Sequence, residues 1–149
     1  MLTLILSLIL SLEADFLQTK QVAMLAEPQV AKGHLSYRSP DYIRWEYLSP
    51  DRYVWMLDGG KSNVNPQIQR LLQMIMQSVS GSNLQESADF AVEQSGNTYT
   101  LTPRKREYKH MFRSIVITLD PNTQVAQKVH LYETNGNDTL IEFTHVVTK

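Results

Sequence analysis

The sequence predicts an α+β protein, in which helices cover the concave face of a strongly curved antiparallel sheet. Three observations support this fold class. Apolar and polar residues alternate along most of the chain, as they do in half-buried strands. Short turn motifs separate these segments, which favours antiparallel pairing. One interior segment has helical spacing instead, and 149 residues suit a single domain over 1–149.

Composition and charge exclude several classes of protein. Hydrophobic residues make up 42% of the chain and charged residues 19%, which is typical of a globular protein and not of a disordered one. The net charge of -1 gives no overall attraction to nucleic acid. The chain has no cysteine, which excludes disulfides, thiolate metal sites and a cysteine nucleophile.

The first twelve residues are an apolar segment with two interpretations. Residues 1–12 are too few for a membrane-spanning helix, which needs about 20 apolar residues. They are either the remnant of a signal peptide or a structural helix. Against the signal peptide, the first basic residue is Lys20 and no small-residue cleavage site follows the segment. A helix would have Thr3, Ser7 and Ser11 as a narrow polar stripe.

Nine segments alternate apolar and polar residues over strand-like lengths. Turn-forming residues separate many of them, as at 49–51, 58–60, 95–97, 120–122 and 135–138. Strands joined by such short turns pair as antiparallel neighbours. The predicted strands are 16–25, 34–38, 42–48, 52–57, 88–93, 97–102, 112–119, 124–133 and 139–147.

The segment with helical spacing is 66–80. Asn65 is a suitable N-cap, Pro66 fits the first helical position, and Gly81 ends the segment. We expect its apolar stripe to cover the concave face of the sheet, because the stripe is too apolar to face water. The stripe consists of Ile68, Leu71, Leu72, Ile75 and Val79, with Met74 and Met76 beside it.

An aromatic face is predicted on two neighbouring strands. Strand parity places Ile43, Trp45 and Tyr47 on one face, and Arg44 and Glu46 on the other, where we expect them to pair with neighbouring strands. Tyr53 and Trp55 share a face in the next strand. This face is either ordinary core or the wall of a ligand pocket. The candidate ligand-binding residues are Ile43, Trp45, Tyr47, Tyr53, Trp55, Leu71, Leu72, Ile75 and Met76.

Motifs of catalysis and metal binding are absent from the sequence. It contains no nucleophile elbow, dinucleotide-binding fingerprint or phosphate-binding loop. The four histidines have no metal-ligand spacing. We therefore expect a protein that is not an enzyme and has no metal or cofactor.

One stretch of the chain is locally basic. Residues 104–110 (RKREYKH) are either a solvated loop or a docking surface for an acidic partner. In the second case Arg104, Lys105 and Arg106 would make the contact.

Four motifs carry a family resemblance. They are F-x-Q-x-K at 16–20, R-W-E-Y-x-x-P at 44–50, L-x-P at 101–103 and E-x-x-G-x-x-T-x-I-x-F at 133–143. Gly33 to Tyr37 with Pro40 and Asp41 lie between the first two. From about residue 13 onward the chain resembles the periplasmic outer-membrane lipoprotein carrier proteins of the LolA type, in a form like that of Bacteroides-type bacteria.

The resemblance implies an unclosed β-barrel with helices as a lid, and a cavity that takes the acyl chains of lipoproteins. It implies a periplasmic monomer, loaded by an inner-membrane ABC transporter and unloaded by an outer-membrane acceptor. The carriers have an arginine linked to lid closure where this chain has Ser39, so Arg38 and Arg44 are the candidate lid contacts. The departure leaves open a related lipid-binding or protein-interaction domain, also not an enzyme, with other cargo.

Overall fold

The main feature of the computed structural model, which describes residues 11–38, 41–79 and 86–149, is one antiparallel sheet of ten strands. Its strand order is β5-β4-β3-β2-β1-β10-β9-β8-β7-β6. The strands are β1 (Ser11–Gln21), β2 (Gln29–Arg38), β3 (Tyr42–Ser49), β4 (Tyr53–Asp58), β5 (Lys61–Ser62), β6 (Phe90–Ser95), β7 (Thr98–Pro103), β8 (Phe112–Leu119), β9 (Ala126–Glu133) and β10 (Asp138–Thr148).

The sheet is open, because its two edge strands β5 and β6 do not pair with each other. The first and last strands, β1 and β10, pair at its centre, and this seam joins the N-terminal strands to the C-terminal strands. The described residues are mostly β. They include two short helices, α1 (Pro66–Val79) and α2 (Arg106–Lys109). Among the described residues, the helical part is therefore smaller than the predicted α+β class implies.

The predicted helix over 1–12 is wrong at its end, because Ser11 and Leu12 belong to β1. Residues 1–10 lie outside the described residues. Leu12 is fully buried, so its apolar character serves the sheet core. The predicted strand 16–25 ends at Gln21, since Leu25 N–H donates to the Val22 carbonyl at 2.9 Å and closes a turn. Apolar residues continue through this turn, which is why alternation alone misplaces the end.

Where strong turn residues bound a segment, the sequence places the strand well. β8 spans the predicted residues, β3 ends one residue later than predicted, and β4 begins and ends one residue later than predicted. Gly96 and Gly136 lie in the turns between β6 and β7 and between β9 and β10, at φ +60° and +91°. A glycine adopts this left-handed conformation without the steric cost that a Cβ brings.

Helix α1 begins as predicted and packs through its apolar stripe. The Ile68 N–H donates to Asn65 Oδ1 at 2.8 Å, which is the expected cap. Leu71, Leu72, Ile75 and Met76 are buried. The main contacts of α1 are with β8 and β9. Those strands lie in the C-terminal half of the sheet, so cover of the aromatic face on β3 and β4 stays a prediction.

The buried apolar side chains of both halves of the sheet and of α1 belong to one hydrophobic cluster. Within the described ranges, neither helix has the length and apolar character needed to cross a membrane.

Candidate functional site

An aromatic cluster occupies the buried face of β1 to β4. Strand β3 pairs with β4 so that Trp45 lies opposite Trp55, and Tyr47 opposite Tyr53. Burial alternates along β3 as its parity predicts. Ile43, Trp45 and Tyr47 are 3%, 2% and 4% exposed, whereas Arg44 and Glu46 are partly exposed.

Ring contacts join aromatic side chains of three strands, β1, β3 and β4. Phe16 of β1 stacks on Trp45 with ring centroids 4.4 Å apart. Tyr47 stacks on Tyr53 at 4.6 Å and meets Trp55 edge-on at 5.7 Å. Offset-stacked and edge-to-face pairs of this kind each add about 0.5–1.5 kcal/mol beyond the area they bury. The cluster therefore forms a preorganised wall.

Gly33 of β2 makes room for this wall. Its Cα pairs with Phe16 on one side and with Tyr47 on the other. A Cβ at this position would collide with the Phe16 ring and with the Glu46 carbonyl oxygen. The absence of a side chain at position 33 thus lets the Phe16 ring lie against the backbone.

A cleft of about 440 Å³ opens where the aromatic wall meets the end of the sheet. Tyr47 and Tyr53 form an aromatic side, and Gln18 and Lys20 provide polar groups. The volume lies within the range of small-ligand sites, about 300–1,000 Å³. The cleft is lined by Gln18, Lys20, Gln29, Val30, Ala31, Tyr47, Ser49, Pro50, Asp51 and Tyr53.

Three polar groups of the cleft region have defined chemistry. The Tyr47 hydroxyl donates to Gln18 Oε1 at 2.7 Å, and burial raises its pKa to about 12, so it stays a neutral donor. Lys20 Nζ lies 3.6 Å from Glu133 Oε1. The other oxygen of Glu133 is buried and has no hydrogen-bond partner among the described residues. Half of the ten lining residues of the cleft are polar and half are aliphatic or aromatic, so the cleft can meet a ligand that has both kinds of surface.

The structure divides the nine predicted ligand-binding residues into two groups. Tyr47 and Tyr53 line the cleft, and Ile43, Trp45 and Trp55 pack in or beside the aromatic wall behind it. Leu71, Leu72, Ile75 and Met76 lie on α1, whose main contacts are with β8 and β9.

The ligand-binding prediction did not include Phe16, Gln18, Lys20 and Gly33. Their signal is present in the sequence, because Phe16, Gln18 and Lys20 alternate along one strand and so share a face.

The two candidate lid arginines lie in different surroundings. Arg38 is exposed, and its guanidinium lies 5.3 Å from the centroid of the Tyr42 ring, a cation–π distance. Arg44 Nη2 lies 3.2 Å from Glu46 Oε2 of its own strand. The ion pair that the structure shows is thus within β3 and not with a neighbouring strand, although Glu46 lies opposite His34 of β2.

The basic stretch is partly neutralised by acidic neighbours. Arg104 Nη2 lies 3.0 Å from Glu86, and Lys105 Nζ lies 2.7 Å from Asp89. The interpretation as a loop is incomplete, because α2 forms within the stretch and Tyr108 is 1% exposed. An open groove of about 670 Å³ is lined by Lys105, Arg106, Glu107, His110 and Met111.

A carboxylate–imidazole chain crosses the seam of the sheet on its more exposed face. His34 of β2 contacts two carboxylates of β1, with Nδ1 2.9 Å from Asp15 and Nε2 2.9 Å from Glu13. His145 of β10 lies 3.0 Å from the other oxygen of Asp15. In the part of the chain that the structure describes, no group of three or more such side chains could hold a metal ion.

The described chain thus forms an open antiparallel sheet with a cleft beside its aromatic wall. Residues 7–149 match the family described as outer membrane lipoprotein carrier protein LolA. This match extends over nearly the whole chain, and the protein belongs to the LolA family. No curated protein matches the chain.

Solved structures share the fold at low sequence identity. The chain is similar to the MucA/MucB complex of Pseudomonas aeruginosa, with 16% identity, 93% of this chain and 51% of that chain covered, and a TM-score of 0.50. A second structure, of MucB in complex with MucA(peri), has 15% sequence identity and a TM-score of 0.51, with 93% of this chain and 50% of that chain covered. The chain thus spans about half the length of these chains. The LolA superfamily protein NE2245 of Nitrosomonas europaea has 8% sequence identity and a TM-score of 0.43, with 93% of this chain and 86% of that chain covered.

Proposed function

We propose that the protein is a periplasmic carrier that binds the acyl chains of lipoproteins in its aromatic-walled cleft and moves them from the inner to the outer membrane. By the family's pattern, an ABC transporter loads it and an outer-membrane acceptor unloads it. The observation that carries this proposal is the cleft beside Tyr47 and Tyr53 in a chain of the LolA family.

The cleft suits a ligand with an apolar body and a polar end. Its aromatic side is rigid, because Tyr47 is held by ring contacts and by its hydrogen bond to Gln18. Gln18 and Lys20 line the cleft and can donate hydrogen bonds to the ester and amide carbonyl oxygens that join acyl chains to a protein.

A carrier must also release its cargo, and the cleft is only partly closed. Each methylene moved from water to an apolar site contributes about 0.8 kcal/mol, so two or three long chains would total tens of kcal/mol. Measured free energies of non-covalent binding do not go beyond about -20 kcal/mol. A cleft whose wall includes Tyr53 at 48% exposure leaves part of the ligand in water, which favours release.

Helix α1 is the proposed mobile cover. It is a capped, discrete unit with one buried apolar stripe, and its main contacts are with β8 and β9. A cover of this kind has to pack well enough to exclude water and weakly enough to open. Opening α1 would extend the apolar surface from the cleft toward the C-terminal strands.

The test combines identification of bound lipid with a binding measurement. Lipids extracted from the purified protein are analysed by mass spectrometry, and a dansyl-labelled fatty acid is titrated into delipidated protein. We expect co-purifying acyl lipids and saturable uptake that unlabelled fatty acid displaces. Absence of both would contradict the carrier function and favour a filled core.

A second candidate function is a protein-interaction domain, in which the cleft receives a peptide. MucB, a structure with the same fold, is described in complex with MucA. In this case the delipidated protein takes up no fatty acid, whereas a peptide partner protects the cleft residues from hydrogen exchange.

A further inference from the structure

Exposed apolar side chains are concentrated around the mouth of the cleft. Of the seven large hydrophobic residues exposed in the described chain, five lie at the end of the sheet where β1 and β3 end and β2 and β4 begin. Val30 and Tyr53 also line the cleft. The five are Met24, Leu25, Val30, Leu48 and Tyr53.

Met24 is the most exposed of these, at 92%, and Leu25 follows it at 50%. Both belong to the turn between β1 and β2, and we call these two residues the apolar tip. A single exposed apolar side chain is ordinary on a protein surface. Two adjacent ones at a loop end, with three further exposed apolar side chains at the same end of the sheet, form a candidate interaction surface.

The turn that displays the tip is held in place by hydrogen bonds. Leu25 N–H donates to the Val22 carbonyl at 2.9 Å. Ala23 N–H donates to Asn137 Oδ1 at 3.0 Å, which ties this turn to the turn between β9 and β10. The backbone on both sides of Met24 is therefore anchored, and the exposed side chain is presented outward from a defined turn.

Charge favours an acyl layer over a protein as the occupant of this surface. Residues 21–26 (QVAMLA) carry no charged side chain; Lys20 precedes them, with its Nζ 3.6 Å from Glu133 Oε1, and Glu27 follows them. Protein interfaces usually place matching charges around an apolar centre. The acyl layer of a bilayer has no fixed charge to match, so an uncharged apolar tip complements it.

We propose that the apolar tip inserts into the acyl layer of a phospholipid bilayer while the cleft exchanges its ligand. The proposal rests on the proposed carrier function, because an acyl ligand that passes between the cleft and a membrane-bound transporter or acceptor avoids contact with water when the cleft mouth lies at the bilayer. The tip thus gives the protein a short-lived membrane contact of its own, and no membrane-spanning segment is needed.

The test is flotation of the full chain with phosphatidylcholine vesicles, and with vesicles that also contain phosphatidylglycerol, at low and high salt. The test variant combines Met24→Ser with Leu25→Ser. The control is Val147→Ser, because Val147 is 55% exposed in β10, away from the cleft. Melting temperature and dansyl-fatty-acid uptake are measured on every variant.

We expect the unmodified protein to float with both kinds of vesicle, with little effect of salt. The double variant should lose at least about tenfold in vesicle partitioning, since the two apolar side chains that enter the acyl layer are removed, while its melting temperature and fatty-acid uptake persist. The Val147→Ser variant should match the unmodified protein.

The proposal is overturned if the unmodified protein does not float, if the double variant floats equally well, or if flotation needs phosphatidylglycerol and is lost at high salt. Self-association through the tip in place of vesicle binding also overturns it. Failure of the unmodified protein to take up fatty acid contradicts the carrier function instead, and flotation then still decides the role of the tip.

Discussion

The ring of Phe16 lies against Gly33 across the β1–β2 pair and fills the space that a Cβ at position 33 would need. Its ring centroid lies 4.4 Å from that of Trp45 and 5.3 Å from that of Tyr47. The Glu46 carbonyl oxygen closes the remaining space over Gly33. The aromatic wall thus depends on one position without a side chain.

Substitution Gly33→Ala is expected to destabilise the protein by about 1–3 kcal/mol, because the new methyl group meets both the ring and a backbone oxygen. The free energy of unfolding in urea measures the effect. Gly60→Ala is the matched control, since a Cβ there meets nothing within 4 Å. Equal stability of the two variants would show that the Phe16 ring yields without cost.

Substitution Leu72→Asp tests α1 as a cover. Leu72 is 3% exposed, so a carboxylate there should lower the free energy of unfolding by about 3 kcal/mol or more. It should also reduce fatty-acid uptake by more than the loss of folded protein explains. Uptake and melting temperature are measured on the same sample. Gln73→Asp places the same charge at the exposed neighbouring position. If uptake survives while the Leu72→Asp protein simply melts earlier, α1 is ordinary core.

The pairing of His34 predicts a pH dependence of stability. Burial opposes the charged imidazole, but hydrogen bonds to Asp15 and Glu13 outweigh it and raise the pKa of His34 above 6.5. Both ring nitrogens face carboxylate oxygens, which only the protonated ring can satisfy with two donors. Glu46 of β3 lies opposite His34 and adds a further negative charge nearby.

This contribution to stability is complete below pH 6.5 and is lost as the pH rises through the raised pKa of His34. Hydrogen bonds from His34 and His145 lower the pKa of Asp15 below 3.8, and its own contribution is lost only as the pH falls through that lowered value. Urea unfolding at about pH 6 and about pH 8 should show lower stability at the higher pH. His34→Gln should remove most of this difference, whereas His110→Gln should keep it. If the free energy of unfolding changes equally between the two pH values in both variants, other groups cause the pH dependence.

Charge reversal at Arg106 tests the basic stretch as a docking surface. Arg104 and Lys105 already face Glu86 and Asp89, so Arg106 is the member of the predicted trio without an acidic partner among the described side chains. We expect Arg106→Glu to weaken binding to the loading transporter by about fivefold at low salt and less at high salt. Binding of the immobilised carrier to detergent-solubilised transporter measures this. Lys61→Glu, at the far edge of the sheet, is the control, and equal binding of both variants would leave α2 a solvated segment.

Features encoded by near neighbours in the chain could be predicted from the sequence. Alternation placed Ile43, Trp45 and Tyr47 on the buried face of β3, and the Asn65-Pro66 pair marked the start of α1. Turn residues at 120–122 marked the end of β8. Each of these depends on local backbone geometry, which a short stretch of residues determines.

Periodicity failed to predict the structure where one local pattern is compatible with two kinds of structure. Ser11 and Leu12 ended a run that suits a helix, yet they are strand residues because β2 and β10 pair with them on both sides. The basic residues of α2 concealed a buried anchor, Tyr108, which packs on Phe90 with ring centroids 5.0 Å apart. Partners distant in sequence decide both cases.

The sequence by itself determined which residues seek burial, where the strands turn and where α1 begins. Only the tertiary structure decided that Phe16 meets Gly33, that Lys20 faces Glu133, and that α1 lies against β8 and β9. These contacts follow from strand order and register, which arise when segments far apart in the chain pair. Strand parity determines the face on which a side chain lies, whereas register determines which side chains of the adjacent strands contact it. The cleft is formed by side chains that meet through register.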